Sequence, residues 1–131
     1  MKYRLLDVLA CPIDKHFPLE LMVFKESTPH EEKVPDKPPC EKYCGFLGRR
    51  LEELDLTKLK ESCAKCLSRE IVEGVLRCPE CNRWFPIIDG IPHMLPDHLR
   101  NSKEEISFLR EHQDKLPDII KLEGKPFNLV S

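Results

Sequence analysis

Cys78-Pro79-Glu80-Cys81 sets two thiols three positions apart on a turn. That spacing lets two thiolates converge on one ion at the S–Zn distance of about 2.3 Å found in tetrahedral sites. A second stretch, Cys11-Pro12-Ile13-Asp14-Lys15-His16, begins in the same way but has Asp14 where another cysteine would stand. Cys11, Cys78 and Cys81 thus offer three thiolates for one structural zinc ion. The fourth ligand is open between Asp14, which keeps the spacing, and His16, whose imidazole is the more usual companion of thiolates. The competing reading is a decayed site in which Cys11 is a buried thiol. Four further cysteines, Cys40 and Cys44, then Cys63 and Cys66, form two pairs around a stretch of helical spacing. They suit a second metal site or one or two disulfides. Redox catalysis at Cys63 and Cys66 is disfavoured, because such motifs work at the start of a helix in a βαβ setting that this sequence lacks. There is no nucleophile-base pair, glycine-rich phosphate cradle or nucleophile elbow, so no catalytic residue is expected.

The elements that must position these thiols are short. At 131 residues the chain suits one domain, or a small domain with an insertion. Residues 4–9 read as a turn or two of helix, and residues 17–24 as a strand with Leu19, Leu21 and Val23 on one face. Residues 25–39 turn polar and proline-rich, a loop into an insertion. From Phe46 to Leu59 the leucines recur at helical spacing, with a break near Asp55, which predicts two helices. Residues 71–77 and 83–88 read as strands flanking the second cysteine pair, closed by an Asp89-Gly90 turn. Ser102-Lys103-Glu104-Glu105 reads as a capping box opening a helix that carries Ile106, Leu109 and Leu116, and residues 123–131 as a loose tail. The expected architecture is α+β: a small antiparallel zinc-ribbon-like sheet from residues 1–24 and 68–100, a helical lobe inserted over 25–67, and a C-terminal helix and tail over 101–131.

The formal net charge of −2 lacks the basic footprint of phosphate-backbone binding. A nucleic-acid-binding zinc ribbon using Lys15, Arg77, Arg83 and Trp84 is therefore the alternative and not the first reading. No apolar run is long enough to span a bilayer, so no membrane contact is expected. The first residues do not suit a secretory signal, and the expected location is cytoplasmic. Residues 84–96 are apolar on both alternating faces, more than one thin sheet can bury, so another element or a partner is expected to cover them.

Taken in order, Leu5-Leu6-Asp7-Val8-Leu9-Ala10-Cys11-Pro12, Phe17-Pro18-Leu19-Glu20-Leu21, Cys78-Pro79-Glu80-Cys81 and Phe85-Pro86-Ile87-Ile88-Asp89-Gly90-Ile91-Pro92-His93-Met94-Leu95 make the chain resemble the multifunctional methyltransferase subunit family. Its members are zinc-ribbon activators of tRNA, rRNA and release-factor methyltransferases. The resemblance implies a noncatalytic subunit that forms a heterodimer with a class I Rossmann-like methyltransferase. The partner would hold S-adenosylmethionine, and tRNA would be met only through the complex. It also implies that Phe85, Pro86, Ile87 and Ile88 lie at the partner seam, with Asp89, Gly90, Ile91, Pro92, Met94 and Leu95 beside it. The Cys40, Cys44, Cys63 and Cys66 set and the long C-terminus fall outside the family pattern.

Overall fold

A computed structural model describes residues 1–28 and 40–130, apart from the side chains of residues 56–58. The proline-rich stretch expected as a loop lies mostly outside the described residues. A 3-10 turn at Tyr3–Asp7 leads to strand β1 (Glu20–Ser27). A short hairpin follows, β2 (Tyr43–Cys44) and β3 (Arg49–Arg50), then a 3-10 turn at Leu51–Glu53 and helix α1 (Leu56–Ser68). The chain continues through β4 (Glu70–Arg77), β5 (Trp84–Ile88), β6 (Ile91–Pro92), a 3-10 turn at Asp97–Leu99, α2 (Ser102–Glu111) and α3 (Asp118–Glu123). The main sheet is antiparallel, in the order β1-β4-β5-β6. This is a mixed α+β fold of small zinc-ribbon-like form.

Strand β4 is central and buried on both faces, which is why residues 75–78 show no polar alternation. One face, with Leu76, Phe85 and Ile87, packs on Tyr3, Leu6, Leu19 and Cys66. The opposite face, with Val75 and Trp84, is covered by Phe108 and Leu109 of α2, Leu116, and Ile120 of α3. The C-terminal helices are thus the second layer of the core. Residues 46–54, expected as a helix, instead form the β2–β3 hairpin and a 3-10 turn: Gly48, at φ 67°, makes the reversal that a helix cannot contain. Helix α2 is capped one residue earlier than the capping box implied, because Asn101 Oδ1 accepts the Glu104 N–H at 3.1 Å. Glu105 pairs with Arg100 and not with the helix start.

The tail expected to be loose is docked. Trp84 N–H donates to Lys125 O at 3.2 Å, Trp84 Nε1 to Phe127 O at 2.8 Å, and Lys125 N–H to Asn82 O at 3.1 Å. These bonds close the β5 edge next to the second cysteine pair. At the other end of β5, Asp89 (φ 51°) and Gly90 (φ 78°) form the two-residue hairpin turn, both in the left-handed region that Asp-Gly tolerates.

Candidate metal centre

Two turns of like geometry hold the site. In the first, Cys11 N–H donates to His16 O at 3.0 Å, Lys15 N–H returns to Cys11 O at 2.9 Å, and Lys15 takes φ 66°. In the second, Cys78 N–H donates to Arg83 O at 2.8 Å, Asn82 N–H returns to Cys78 O at 2.9 Å, and Asn82 takes φ 63°. Backbone N–H groups of Ile13 and Asp14 act on the Cys11 sulfur, and those of Glu80 and Cys81 on that of Cys78, favouring the thiolate in each case. The two turns superpose in role, position for position: Cys11 on Cys78, Asp14 on Cys81, Lys15 on Asn82, His16 on Arg83.

The ligand-capable atoms of Cys11, Asp14, Cys78 and Cys81 all lie within 4.8 Å of one another. Cys11 Sγ is 3.7 Å from Cys81 Sγ, and Cys78 Sγ is 3.5 Å from each Asp14 oxygen. A disulfide would need about 2.05 Å. A tetrahedral ion with bonds of about 2.3 Å to sulfur and 2.0 Å to oxygen gives edges of about 3.8 Å and 3.5 Å, which the Cys11–Cys81 and Cys78–Asp14 separations match. These four residues could hold a metal ion. His16 is not in the group; its backbone N–H donates to Asp14 Oδ1 at 3.0 Å and fixes the carboxylate.

Electrostatics point the same way. Burial pushes the Cys78 thiol up to about 12 and raises Cys11 as well, so neither ionises readily at neutral pH without a cation. Asp14 is held down to about 2, first by the His16 N–H and also by bonds from the thiols of Cys11, Cys78 and Cys81. A divalent ion reverses the balance at the sulfurs by its own charge. Three thiolates and a carboxylate form a donor set that suits zinc.

The other residues singled out from sequence divide by exposure. Phe85, Pro86 and Ile87 are buried by the chain itself, whereas Ile88, Ile91 and Leu95 are exposed at the β5–β6 rim, Ile91 at 61%. Leu99, which sequence reasoning missed, joins them at 60%. No pattern in the sequence marks it, because it lies on a single 3-10 turn. Pro92 and Met94 lie beside this rim, and Asp89 and Gly90 make the turn above it. Among the residues of the nucleic-acid alternative, Trp84 is fully buried, Arg77 Nη1 is bonded to Glu20 at 2.7 Å, and Arg83 is bonded to Asp97. None of these three presents a free stacking face or charge. Cys40, Cys44, Cys63 and Cys66 are all free thiols. No helix among the described residues is long and apolar enough to cross a membrane.

Comparison with known proteins agrees with both turns and the sheet between them. The sequence profile of a family described as Trm112p-like protein matches residues 2–90. A multifunctional methyltransferase subunit TRM112-like protein of Mus musculus is 46% identical over 43 residues, 33% of this chain and 34% of its own length. The Bos taurus protein of the same description is 59% identical over 29 residues, 22% of this chain and 23% of its own. The aligned stretches thus span about a third or less of these relatives.

Proposed function

The chain belongs to the Trm112p-like family, and from that premise we propose that it is a noncatalytic subunit that activates and stabilises methyltransferases dependent on S-adenosylmethionine. The observation that carries this reading is the family match from residue 2 to residue 90, which includes both metal-binding turns. The partner is a class I Rossmann-like enzyme that forms a heterodimer with this chain in the cytoplasm. It holds the S-adenosylmethionine, and together they act on tRNA and other substrates of the translation machinery. Zinc at Cys11, Asp14, Cys78 and Cys81 is structural: it clamps the N-terminal turn to the β4–β5 connection and so keeps the sheet in shape.

The partner surface is the rim of Ile88, Ile91, Leu95 and Leu99; Ile88, Leu95 and Leu99 line a pit of about 130 Å³ together with Pro86, Phe108 and the polar Asn101 and Glu104, and Ile91 pairs with Ile88 beside it. Because Pro92 brings no N–H to the edge, the rim is suited to side-chain burial more than to a long hydrogen-bonded ladder. Activation is linkage: a subunit that binds only the competent form of an enzyme raises that form's population, by about 2.7 kcal/mol at a concentration 100 times Kd. The test is affinity purification from the native cell followed by methyl transfer from labelled S-adenosylmethionine. Wild-type chain should copurify a methyltransferase whose activity needs it, and Ile91→Asp should lose both. Recovery of no methyltransferase by the wild type, or full recovery by Ile91→Asp, would defeat the function or the rim respectively.

A further inference from the structure

The four cysteines outside the first cluster come from three places: Cys40 from the segment before β2, Cys44 from β2, and Cys63 and Cys66 from α1. Folding brings their elements onto one turn. Both β2 and α1 pack on the Tyr3–Asp7 turn. A Cβ at Gly45 would lie 2.5 Å from Tyr3 O and 2.6 Å from Leu6 Cδ1, so the chain just after Cys44 lies as close to that turn as a bare backbone permits. The segment between Cys40 and Cys44 is fixed by Asp7, whose carboxylate accepts the backbone N–H groups of Glu41, Lys42 and Tyr43 at 2.7–2.9 Å. Cys63 and Cys66, three apart, share one face of α1. Cys44, Cys63 and Cys66 are buried and Cys40 is half-buried.

The thiols also feel one another. Burial pushes Cys66 up to about 12, and the charges of Cys44, Cys40 and Cys63 add to it. Burial likewise lifts Cys40 to about 11, with Asp7, Cys44 and Cys63 contributing. Lys2 beside Cys66 and Arg4 beside Cys40 act in the opposite direction. A disulfide would use two of the four sulfurs and leave the others buried beside it. One soft cation satisfies all four.

We propose that Cys40, Cys44, Cys63 and Cys66 form a second thiolate site that takes a divalent ion of zinc-like softness and staples the segment before β2, and β2 itself, to helix α1. It shares no ligand with the Cys11 centre and does not depend on the partner reading. Among the described residues, the first cluster alone has three or more ligand atoms within 4.8 Å of one another. Uptake at the second site therefore draws its sulfurs together, toward the tetrahedral edge of about 3.8 Å, and adds its binding energy to the stability of this part of the fold.

The experiment loads the full chain with Co²⁺ and measures metal content and thiolate-to-metal absorption, alongside the mass of the intact native protein. Two ions per chain are expected, with Cys63→Ser/Cys66→Ser falling to one and losing about half of the absorption. The native mass should be that of the fully reduced chain plus two metals. One ion in the wild type, or unchanged content in the double variant, overturns the proposal. So does a metal-free mass short of two hydrogens per cysteine pair, which marks a disulfide and needs no variant to fold.

Discussion

Cys11 Sγ lies 3.7 Å from Cys81 Sγ, although 70 positions of sequence separate them. The contact joins the N-terminal turn to the β4–β5 connection, and Asp14 completes it from the position equivalent to Cys81 itself. Because His16 contributes only its backbone N–H and C=O to this arrangement, His16→Ala should keep metal affinity within a few-fold. Asp14→Ala removes a ligand and should cost more than the roughly 10–100-fold typical of an outer-shell loss. Asp14→Cys should bind at least as tightly as wild type. Competition with a chromophoric chelator measures all three, and a large loss in His16→Ala would return the imidazole to the ligand set.

Neighbouring residues of the rim separate packing from recognition. Ile87 is fully buried and Ile91 is mostly exposed. Ile87→Ala should destabilise the chain by roughly 2–5 kcal/mol, and Ile91→Ala by no more than about 0.5 kcal/mol. Urea denaturation reads both. A strong effect at Ile91 would mean that the rim is part of the core and not a free surface.

Arg100 is a buried cation whose ion-pair partner among the described residues is Glu105. Its side chain is 1% exposed, its guanidinium stacks over Trp84 and Phe85 at 5.0 and 5.3 Å, and Glu105 is its counter-ion. Glu105→Ala leaves that charge buried without its ion-pair partner, and should cost roughly 3–5 kcal/mol. The double variant Arg100→Met/Glu105→Leu removes both charges and should be more stable than Glu105→Ala alone. Chemical denaturation of the set tests the pair, and equal stability of the single and double variants would show that the charge is not the cause.

The two cysteine-bearing turns, the β4–β5 pairing and the Asp-Gly hairpin were legible in the sequence because each is local chemistry. A Cys-x-x-Cys spacing, a run of β-branched and aromatic residues, or a residue that tolerates positive φ carries its own signal. What failed was long-range. The leucines of residues 46–54 have helical spacing, yet Gly48 and the docking of Gly45 on Tyr3 and Leu6 impose a hairpin. Asp14 and His16 could not be ranked until the second turn supplied a template. The tail looked unstructured because its contacts are backbone carbonyls, Lys125 O and Phe127 O, which no side-chain pattern reveals.

Asp7 gives the fold an acid-sensitive tie. Burial pushes its carboxyl up, but the N–H groups of Glu41, Tyr43 and Lys42 outweigh this and bring it below the ordinary value. A carboxylate lowered on folding adds stability above its unfolded value of about 3.9 and loses it as pH falls through the folded one. Asp7→Asn should therefore cost about 1 kcal/mol at pH 7, allowing for solvent around the exposed bonds. The difference from wild type should shrink below about pH 4. Denaturation at pH 7 and pH 3 checks this, and a gap that persists at pH 3 would assign the cost to something other than the charge.

Trp84 reports on the C-terminal layer because it is the sole tryptophan of the chain. It opens β5 and is fully buried beneath α2, with Phe108 stacked on it and its indole N–H given to Phe127 O. Deleting residues 125–131 removes that acceptor, the Lys125 O that receives Trp84 N–H, and Leu129 from the apolar layer. Two orphaned donors at about 1–3 kcal/mol each make a loss of roughly 2–6 kcal/mol the expectation, less where water reaches the uncovered edge. Tryptophan emission should shift to the red in the truncated chain while metal content at the Cys11 centre stays unchanged, since no ligand lies in the deleted part. Unshifted emission with unchanged stability would mean that α2 and α3 alone seal the sheet. Loss of metal along with the tail would mean that the β5 edge, through Asn82 and Arg83, is what holds the second turn in its binding shape.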